Sequence, residues 1–477
     1  MSLHLGTDGW RGLIAEDCTF EEVRRVAAAT ARWLCAGDAP APVRRVAVGF
    51  DTRFLSPELA AAASEELALA GLDVLLSDRP IPTPAVSWTV RRLELSAGVA
   101  ITASHNPGIY NGLKIKAAFG GSAPPEMYEA VAREIGKPPR EAARRGRVET
   151  LDLYTPYREG LAALVDLPAI RGAGLAVLAD SMHGAAGSLL TEIVTGGATN
   201  AVALHAGRDP TFGGVHPEPI AANLGAAAER VRAGGLDLAV ANDGDADRLG
   251  VLDRRGEFVS PHRVLALLLL HAFRRRGLSG GIARTFSTSL LIDRVAEALG
   301  ARLYETPIGF KHIAELMNRG EVAAGGEESG GYAFAFHLPE RDGVLAALLL
   351  LESLALSGRD LDAALEDLAR DFGAFAYGRR DVYLPVPVIR AFLEEVRSAP
   401  PERVAGEAVT EVRDLDGVKY LFDGRGWLLH RLSGTEPMIR LYCEHEREES
   451  VRRTLAAAQK RLAGFAASRG VEPREHP

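Results

Sequence analysis

The sequence predicts an α/β protein: three related α/β domains with mostly parallel sheets, then a smaller C-terminal α+β domain. Three observations carry this. Short β-rich runs alternate with helix-length stretches from Arg45 to Ala323. That alternation restarts at Leu175 and again at Gly281. Each repeat also ends a strand in a polar, glycine-bearing loop, and 477 residues exceed one ordinary domain of about 100–200 residues.

In the first repeat Val46–Phe50 reads as a strand, followed by a turn at Asp51-Thr52-Arg53. A helix then opens at Ser56-Pro57, with Ser56 as N-cap, and closes at Gly71, which suits the left-handed position after a helix. Val74–Leu76 reads as a strand, Ala85–Arg92 as a helix and Ala97–Ile101 as a strand that ends in Thr102-Ala103-Ser104-His105-Asn106-Pro107. Leu113–Ala117 runs back along the same unit.

The second repeat has strands at Leu175–Asp180, Ala201–Leu204 and Leu236–Ala241, with a helix at Leu224–Ala233. It ends in Asn242-Asp243-Gly244-Asp245-Ala246-Asp247-Arg248. The third has strands at Ile282–Thr285, Arg302–Glu305 and Glu321–Ala323, with helices at Leu290–Leu299 and Lys311–Met317. It ends in Gly325-Gly326-Glu327-Glu328-Ser329-Gly330-Gly331. From about Phe372 the pattern changes to strands at Val382–Val386, Lys419–Phe422, Trp427–Arg431 and Met438–Cys443, with a closing helix at Glu449–Ala466. After Ala467 a polar, frayed tail is expected. The domains are expected at 1–150, 151–253, 254–370 and 371–477. Ligands bind beyond the carboxyl ends of strands in such sheets, so the loops point to one site built from several domains.

Composition narrows the function classes. A net charge of −8 argues against nucleic acid or an anionic membrane as the main partner. Three scattered cysteines (Cys18, Cys35, Cys443) give neither a disulfide framework nor a zinc spacing. Met1–Asp8 has no basic start or apolar core, and the longest apolar runs, Val264–Leu270 and Val344–Leu351, fall short of the roughly 18–20 residues of a membrane span. A cytoplasmic protein is expected. Of 55 basic residues only six are lysines: 114, 116, 137, 311, 419 and 460.

Each loop has a chemical reading and a plainer one. Asp243, Asp245 and Asp247 at alternate positions suit Mg²⁺ or another oxygen-seeking cation, because such close like charges repel unless neutralised; the plainer reading is a solvated acidic turn. An EF-hand is excluded, since Arg248 and Arg254 stand where its Gly and Glu would be. On local grounds alone Ser104 reads as a capping hydroxyl before a nucleophile, since no Gly-x-Ser-x-Gly elbow surrounds it, and His105 as a hydrogen-bonding loop residue before a base. Lys114 could exchange a proton where an arginine could not, while an exposed strand lysine fits Lys116 better. Glu327-Glu328-Ser329 fits sugar hydroxyls or a solvated turn equally. Arg431 through Arg440, with Ser433, Gly434 and Thr435 between strands, supplies donors that suit a phosphate, against an ordinary Ser-Gly turn. Cation, hydroxyl, carboxylate and anion loops together suggest phosphoryl transfer on a polar, phosphorylated small molecule.

These motifs, with Gly6-Thr7-Asp8-Gly9-Trp10-Arg11-Gly12, resemble those of the α-D-phosphohexomutases, the phosphoglucomutase and phosphomannomutase superfamily. The resemblance spans the whole chain, with its motifs in order. It implies four domains around a central cleft and interconversion of hexose 1- and 6-phosphates through a phosphoserine and a hexose 1,6-bisphosphate, which is both intermediate and activator. Carried over, Ser104 is the phosphorylated nucleophile and, with Asp243, Asp245 and Asp247, completes the Mg²⁺ site. Lys114 matches an acid/base lysine, and His105, Arg11 and Arg248 match cleft positions. Glu327 and Ser329 match the sugar loop, and Lys311 a sugar or phosphate contact. Arg431, Ser433, Gly434 and Thr435 match the loop that holds the non-reacting phosphate, with Arg440 alongside.

There are departures. Gly331 stands where some members carry a histidine, so that residue's proton-transfer role has no carrier here. Glu328 stands where glucosamine-type mutases usually have Gln, and Gly434 where Asn is common. Glucose phosphate is the leading expected substrate, with mannose phosphate second. The alternatives are a phosphoglucosamine mutase or a noncatalytic sugar-phosphate-binding paralogue.

Overall fold

The computed structural model describes residues 9–36, 44–138, 142–434 and 436–475. The chain forms two compact units: residues up to Ala283 together with Gly309–Leu365, and Arg284–Ile308 together with the residues from Glu366 onward.

In the first unit a mixed sheet runs in the order Trp10–Leu13, Tyr110–Ala117, Ala97–Ile101, Arg45–Phe50, Asp73–Ser77, Val148–Leu151. Ala97–Ile101, Arg45–Phe50, Asp73–Ser77 and Val148–Leu151 pair parallel, and the two strands beyond them antiparallel. A second sheet runs Phe258–Val259, Leu249–Asp253, Leu238–Asn242, Ala176–Asp180, Asn200–Leu204, its last three strands parallel. Of the third α/β region, Val322–Gly326 pairs antiparallel with Tyr332–Phe334 inside this unit, while Leu303–Thr306 belongs to the other.

The antiparallel returns position the chemistry. Ala97–Ile101 turns back into Tyr110–Ala117, Leu238–Asn242 into Leu249–Asp253, and Val322–Gly326 into Tyr332–Phe334. Connections this short cannot make a parallel crossover, so the next strand must pair antiparallel. The loops of Ser104, of the three aspartates and of Glu327 are therefore the same reversal, used once in each repeat.

Two of this unit's helices show side-chain caps at their N-termini. Phe20–Cys35 is capped by Thr19, whose side chain accepts from the Glu22 N–H, and carries Glu21 and Glu22 in its first turn, where the helix dipole favours negative charge. Gly343–Ser357 is capped by Asp342, which accepts from the Leu345 N–H. Its run Val344–Leu351 is at most 1% exposed, which makes it a core helix. No helix among the described residues is long and apolar enough to cross a membrane.

The second unit holds an antiparallel sheet in the order Glu411–Arg413, Val418–Leu421, Gly426–Leu432, Met438–His445, Ala376–Tyr383, Arg474–Glu475. Helices Val386–Ser398 and Glu448–Ala467 cover it, with Ile389, Phe392, Leu455 and Leu462 packed in one core with Leu428 and Leu441.

Four expectations need correction. Ser56 is the first helical residue and not the N-cap; its hydroxyl donates instead to Asp51, 2.8 Å away. The strand expected at Val382–Val386 ends at Tyr383, because Pro385 starts a helix. The tail is paired through Arg474–Glu475 with Val382–Tyr383. Lys116 is 1% exposed. Its ammonium donates to Glu340 at 2.6 Å, and Glu340 also accepts from Ser122 and Ser87 at 3.1 Å each.

A buried ion pair broken on one side leaves an uncompensated charge. Glu340→Ala is therefore expected to destabilise the first unit by about 3–5 kcal/mol, and Lys116→Met with Glu340→Met to regain most of that loss. Urea unfolding of the three chains measures both.

Candidate active site

Ser104 lies at the carboxyl end of Ala97–Ile101, fully buried, with a φ of 54°. A serine at positive φ carries backbone strain and must be held there. Its N–H donates to the Thr102 hydroxyl (2.8 Å), which donates to Asp51 (2.6 Å).

The main restraint is Arg53, whose side chain has no solvent exposure. It donates to four carbonyl oxygens of this loop: Ser104 (2.5 Å), Asn106 (2.7 Å), Pro107 (2.8 Å) and Tyr110 (3.0 Å). Its Nε pairs with Asp51 at 2.9 Å, and its guanidinium lies 4.8 Å from the Phe212 ring centre. Five planar donors in a fixed fork can serve so many acceptors; a lysine cannot.

The aspartate loop closes directly on this one. A Cβ on Gly244 would sit 2.4 Å from the Ser104 carbonyl oxygen, so only glycine permits the approach. The Ser104 Oγ donates to Asp243 Oδ2 at 3.2 Å. Asp243, Asp245 and Asp247 are fully buried, each with a carboxylate oxygen within 4.8 Å of the others'.

Their neighbours divide them. Lys114, 1% exposed, donates to Asp245 (2.8 Å) and Asp247 (3.3 Å). Thr83 donates to Asp245 at 2.7 Å, and Arg341 to Asp247 at 2.6 Å. Burial opposes ionisation of Asp245 and Asp247, but Lys114 for the first and Arg341 for the second hold them below the usual carboxylate range. For Asp243, burial and then the charges of Asp247 and Asp245 push its carboxyl well above that range.

The residues fit a hard cation. Asp245 Oδ1 and Asp247 Oδ1 are buried without a hydrogen-bond partner among the described residues, a costly state for carboxylate oxygens unless a ligand completes them.

Of the remaining candidates of this unit, Arg11 and Arg248 bond to groups of these loops. Arg11 donates to Asn106 Oδ1 at 2.7 Å. Arg248 pairs with Glu218 at 2.8 Å, and its backbone N–H donates to Asp243 at 3.0 Å. His105 has a buried Nδ1 without a hydrogen-bond partner among the described residues; burial, then the charges of Arg248, Arg11, Lys114 and Arg341, hold its pKa well below the usual value, so it stays neutral. Glu327, 5% exposed, accepts from the Gly309 N–H (3.1 Å) and from Arg341 (3.2 Å); burial raises its pKa against the pull of Arg341. Ser329 has a buried Oγ without a hydrogen-bond partner among the described residues. Lys311, half-buried, lies in the first turn of helix Phe310–Asn318.

In the second unit Arg431 and Arg440 face each other across antiparallel strands, flanking the loop of Ser433 and Gly434. Like charges placed opposite repel, which suits a site for an anion. Arg431 pairs with Asp416 at 3.0 Å, while among the described residues Arg440 has longer pairs, Glu436 at 3.8 Å and Asp381 at 3.9 Å. Thr435 lies outside the described residues.

Four family descriptions match the chain: the phosphoglucomutase/phosphomannomutase α/β/α domains I, II and III at residues 2–141, 155–256 and 260–372, and the C-terminal domain at 393–460. The chain belongs to the phosphoglucomutase/phosphomannomutase family. It is a mutase of the α-D-phosphohexomutase superfamily. It is 32% identical to a phosphoglucomutase/phosphomannomutase of Thermococcus kodakarensis, over 96% of this chain and 98% of that one. It is equally 32% identical to a phosphoglucosamine mutase of Rubrobacter xylanophilus, over 98% of each. A crystal structure from Thermus thermophilus, named for phosphomannomutase, has a TM-score of 0.85 and 38% identity, covering 97% of this chain and 99% of that one.

Sequence reasoning missed Arg53, Thr83 and Arg341. Arg53 had a signal, since it follows a strand's carboxyl end in the turn Asp51-Thr52-Arg53. Thr83 and Arg341 had none, because their partners lie 162 and 94 residues away.

Arg53→Met is expected to release the Ser104 loop, raising amide hydrogen exchange at 102–110 well above that of the neighbouring strand Arg45–Phe50. Exchange mass spectrometry reads this directly.

Proposed function

We propose that this cytoplasmic enzyme interconverts hexose 1-phosphate and hexose 6-phosphate, glucose phosphate first and mannose phosphate second. Ser104 is the phosphoryl carrier, and hexose 1,6-bisphosphate is intermediate and activator. The observation that supports this reading is the Ser104 hydroxyl 3.2 Å from Asp243, inside a buried loop of three carboxylates flanked by Lys114.

In the forward half-reaction the Oγ–P bond of phospho-Ser104 breaks as a sugar hydroxyl oxygen bonds to phosphorus. The hydroxyl proton passes to a base while Ser104 Oγ regains one. Lys114 is assigned to that exchange, which an arginine could not perform. The bisphosphate turns over, and its other phosphoryl group returns to Ser104. Asp243, Asp245, Asp247 and a phosphoserine oxygen would hold Mg²⁺, which would supply charge neutralisation for the transferring group.

The chain's own residues do the rest. Arg53 fixes the backbone under Ser104. Neutral His105 offers a hydrogen bond without adding charge, and Arg11, Arg248 and Lys311 complement phosphate. Glu327 and Ser329 take sugar hydroxyls; the unpartnered Ser329 Oγ supports this. Arg431, Ser433, Gly434, Thr435 and Arg440 hold the phosphate that is not reacting, a role supported by the two facing arginines.

A second reading, a phosphoglucosamine mutase, is favoured by relatives of that name. Glu328, in place of Gln, counts against it.

Intact-mass analysis after incubation with glucose 1,6-bisphosphate is expected to show one added phosphoryl group that Ser104→Ala lacks. Phosphate retained by Ser104→Ala would overturn the carrier assignment. Coupled assays with glucose, mannose and glucosamine 1-phosphates rank the sugars, and fastest turnover of the last would favour the second reading.

A further inference from the structure

We infer that Arg341 is a positioning residue joining the aspartate loop to the sugar loop, and that residue 331 is glycine because the Arg341 side chain fills its place. The inference rests on the reading of Glu327 as a sugar contact and of Asp247 as a cation ligand.

Three observations carry it. Arg341 is 7% exposed and spends its two terminal nitrogens on two loops: Nη2 donates to Asp247 Oδ2 at 2.6 Å and Nη1 to Glu327 Oε2 at 3.2 Å. Its guanidinium lies 5.5 Å from the ring centre of Phe310, on the helix that follows Gly309, the other donor to Glu327. A Cβ added to Gly331 would lie 2.2 Å from Arg341 Cδ and 3.0 Å from its Cγ.

Gly331 does not lie in the left-handed region, so its backbone asks for no glycine. The reason is steric. Nor can the arginine swing away cheaply, since moving the stem breaks both carboxylate bonds at the other end. A side chain at 331 and the Arg341 bridge therefore exclude each other.

The consequences are chemical. An arginine does not give up its proton, so this group supplies fixed charge and geometry and no acid/base function. It aims Glu327 at the hexose hydroxyls and, by holding Asp247 Oδ2, leaves the other oxygen of that carboxylate to face a cation. One side chain thus serves sugar recognition and cation binding, and losing it must weaken both together.

The test is a double-mutant cycle on the full chain with Gly331→Ala, Arg341→Ala and the double variant. It is read by Mn²⁺ affinity from electron paramagnetic resonance and by KM and kcat for glucose 1-phosphate. Each single change is expected to weaken Mn²⁺ binding and raise KM by about tenfold or more. The double variant is expected to be no worse than Arg341→Ala alone.

A silent Gly331→Ala, losses that multiply in the double variant, or a fall in kcat with both KM and Mn²⁺ affinity unchanged would overturn the inference. Should Arg341→Ala not fold, Arg341→Met keeps the stem, drops the head group and must still lose Mn²⁺ affinity. A parent chain that turns over no hexose phosphate would defeat the functional reading instead, and the Mn²⁺ arm would still decide this one.

Discussion

Three carboxylates buried within five residues form the constraint on which the rest of the first unit depends. Removing one ionised carboxylate from water is costly, and three together add mutual repulsion. The fold answers with groups from every α/β region: Lys114 and Thr83 from the first, Arg248 from the loop itself, and Arg341 from the third. Two carboxylate oxygens of the loop still lack a hydrogen-bond partner among the described residues. The cost that calls for a cation is also what ties the three repeats together around the loop.

The second constraint is conformational. Ser104 adopts a backbone that a serine avoids, and the surrounding hydrogen bonds over-determine it. Arg53 holds the carbonyl oxygens below, Thr102 holds the N–H, and Gly244 lets the aspartate loop close until Asp243 reaches the hydroxyl. The nucleophile assigned to this position is thus presented by a rigid mount. That is the condition under which positioning contributes to rate.

Much of this was legible in the sequence, for identifiable reasons. Strand and helix periodicities and glycine-bearing loops are local signals, so Ala97–Ile101 and the three chemical loops emerge from the chain alone. Alternating aspartates announce their own repulsion. Long-range partners leave no local trace: Lys116 reads as a surface lysine until Glu340 meets it across 224 residues. Lys419 reads as nothing until its ammonium donates to Glu305 and the Phe286 carbonyl and lies over Trp427; burial and then Arg284 lower its pKa to about 8. Boundaries failed where tertiary bonds competed with propensity, as when Ser56 turned to Asp51 instead of capping its helix. Gly331 is visible in the sequence but its cause is not, because that cause is a side chain ten residues further on.

The central claim is that the aspartate loop is built around a cation, and a thermal melt of the dephosphorylated chain against Mg²⁺ tests it without relying on turnover. A ligand bound only by the folded state stabilises it by about 2.7 kcal/mol at a hundredfold excess over its Kd. The melting temperature is therefore expected to climb with the logarithm of Mg²⁺ concentration, and Asp245→Asn with Asp247→Asn to flatten that slope. A melting temperature of the parent chain that ignores Mg²⁺ would contradict the account.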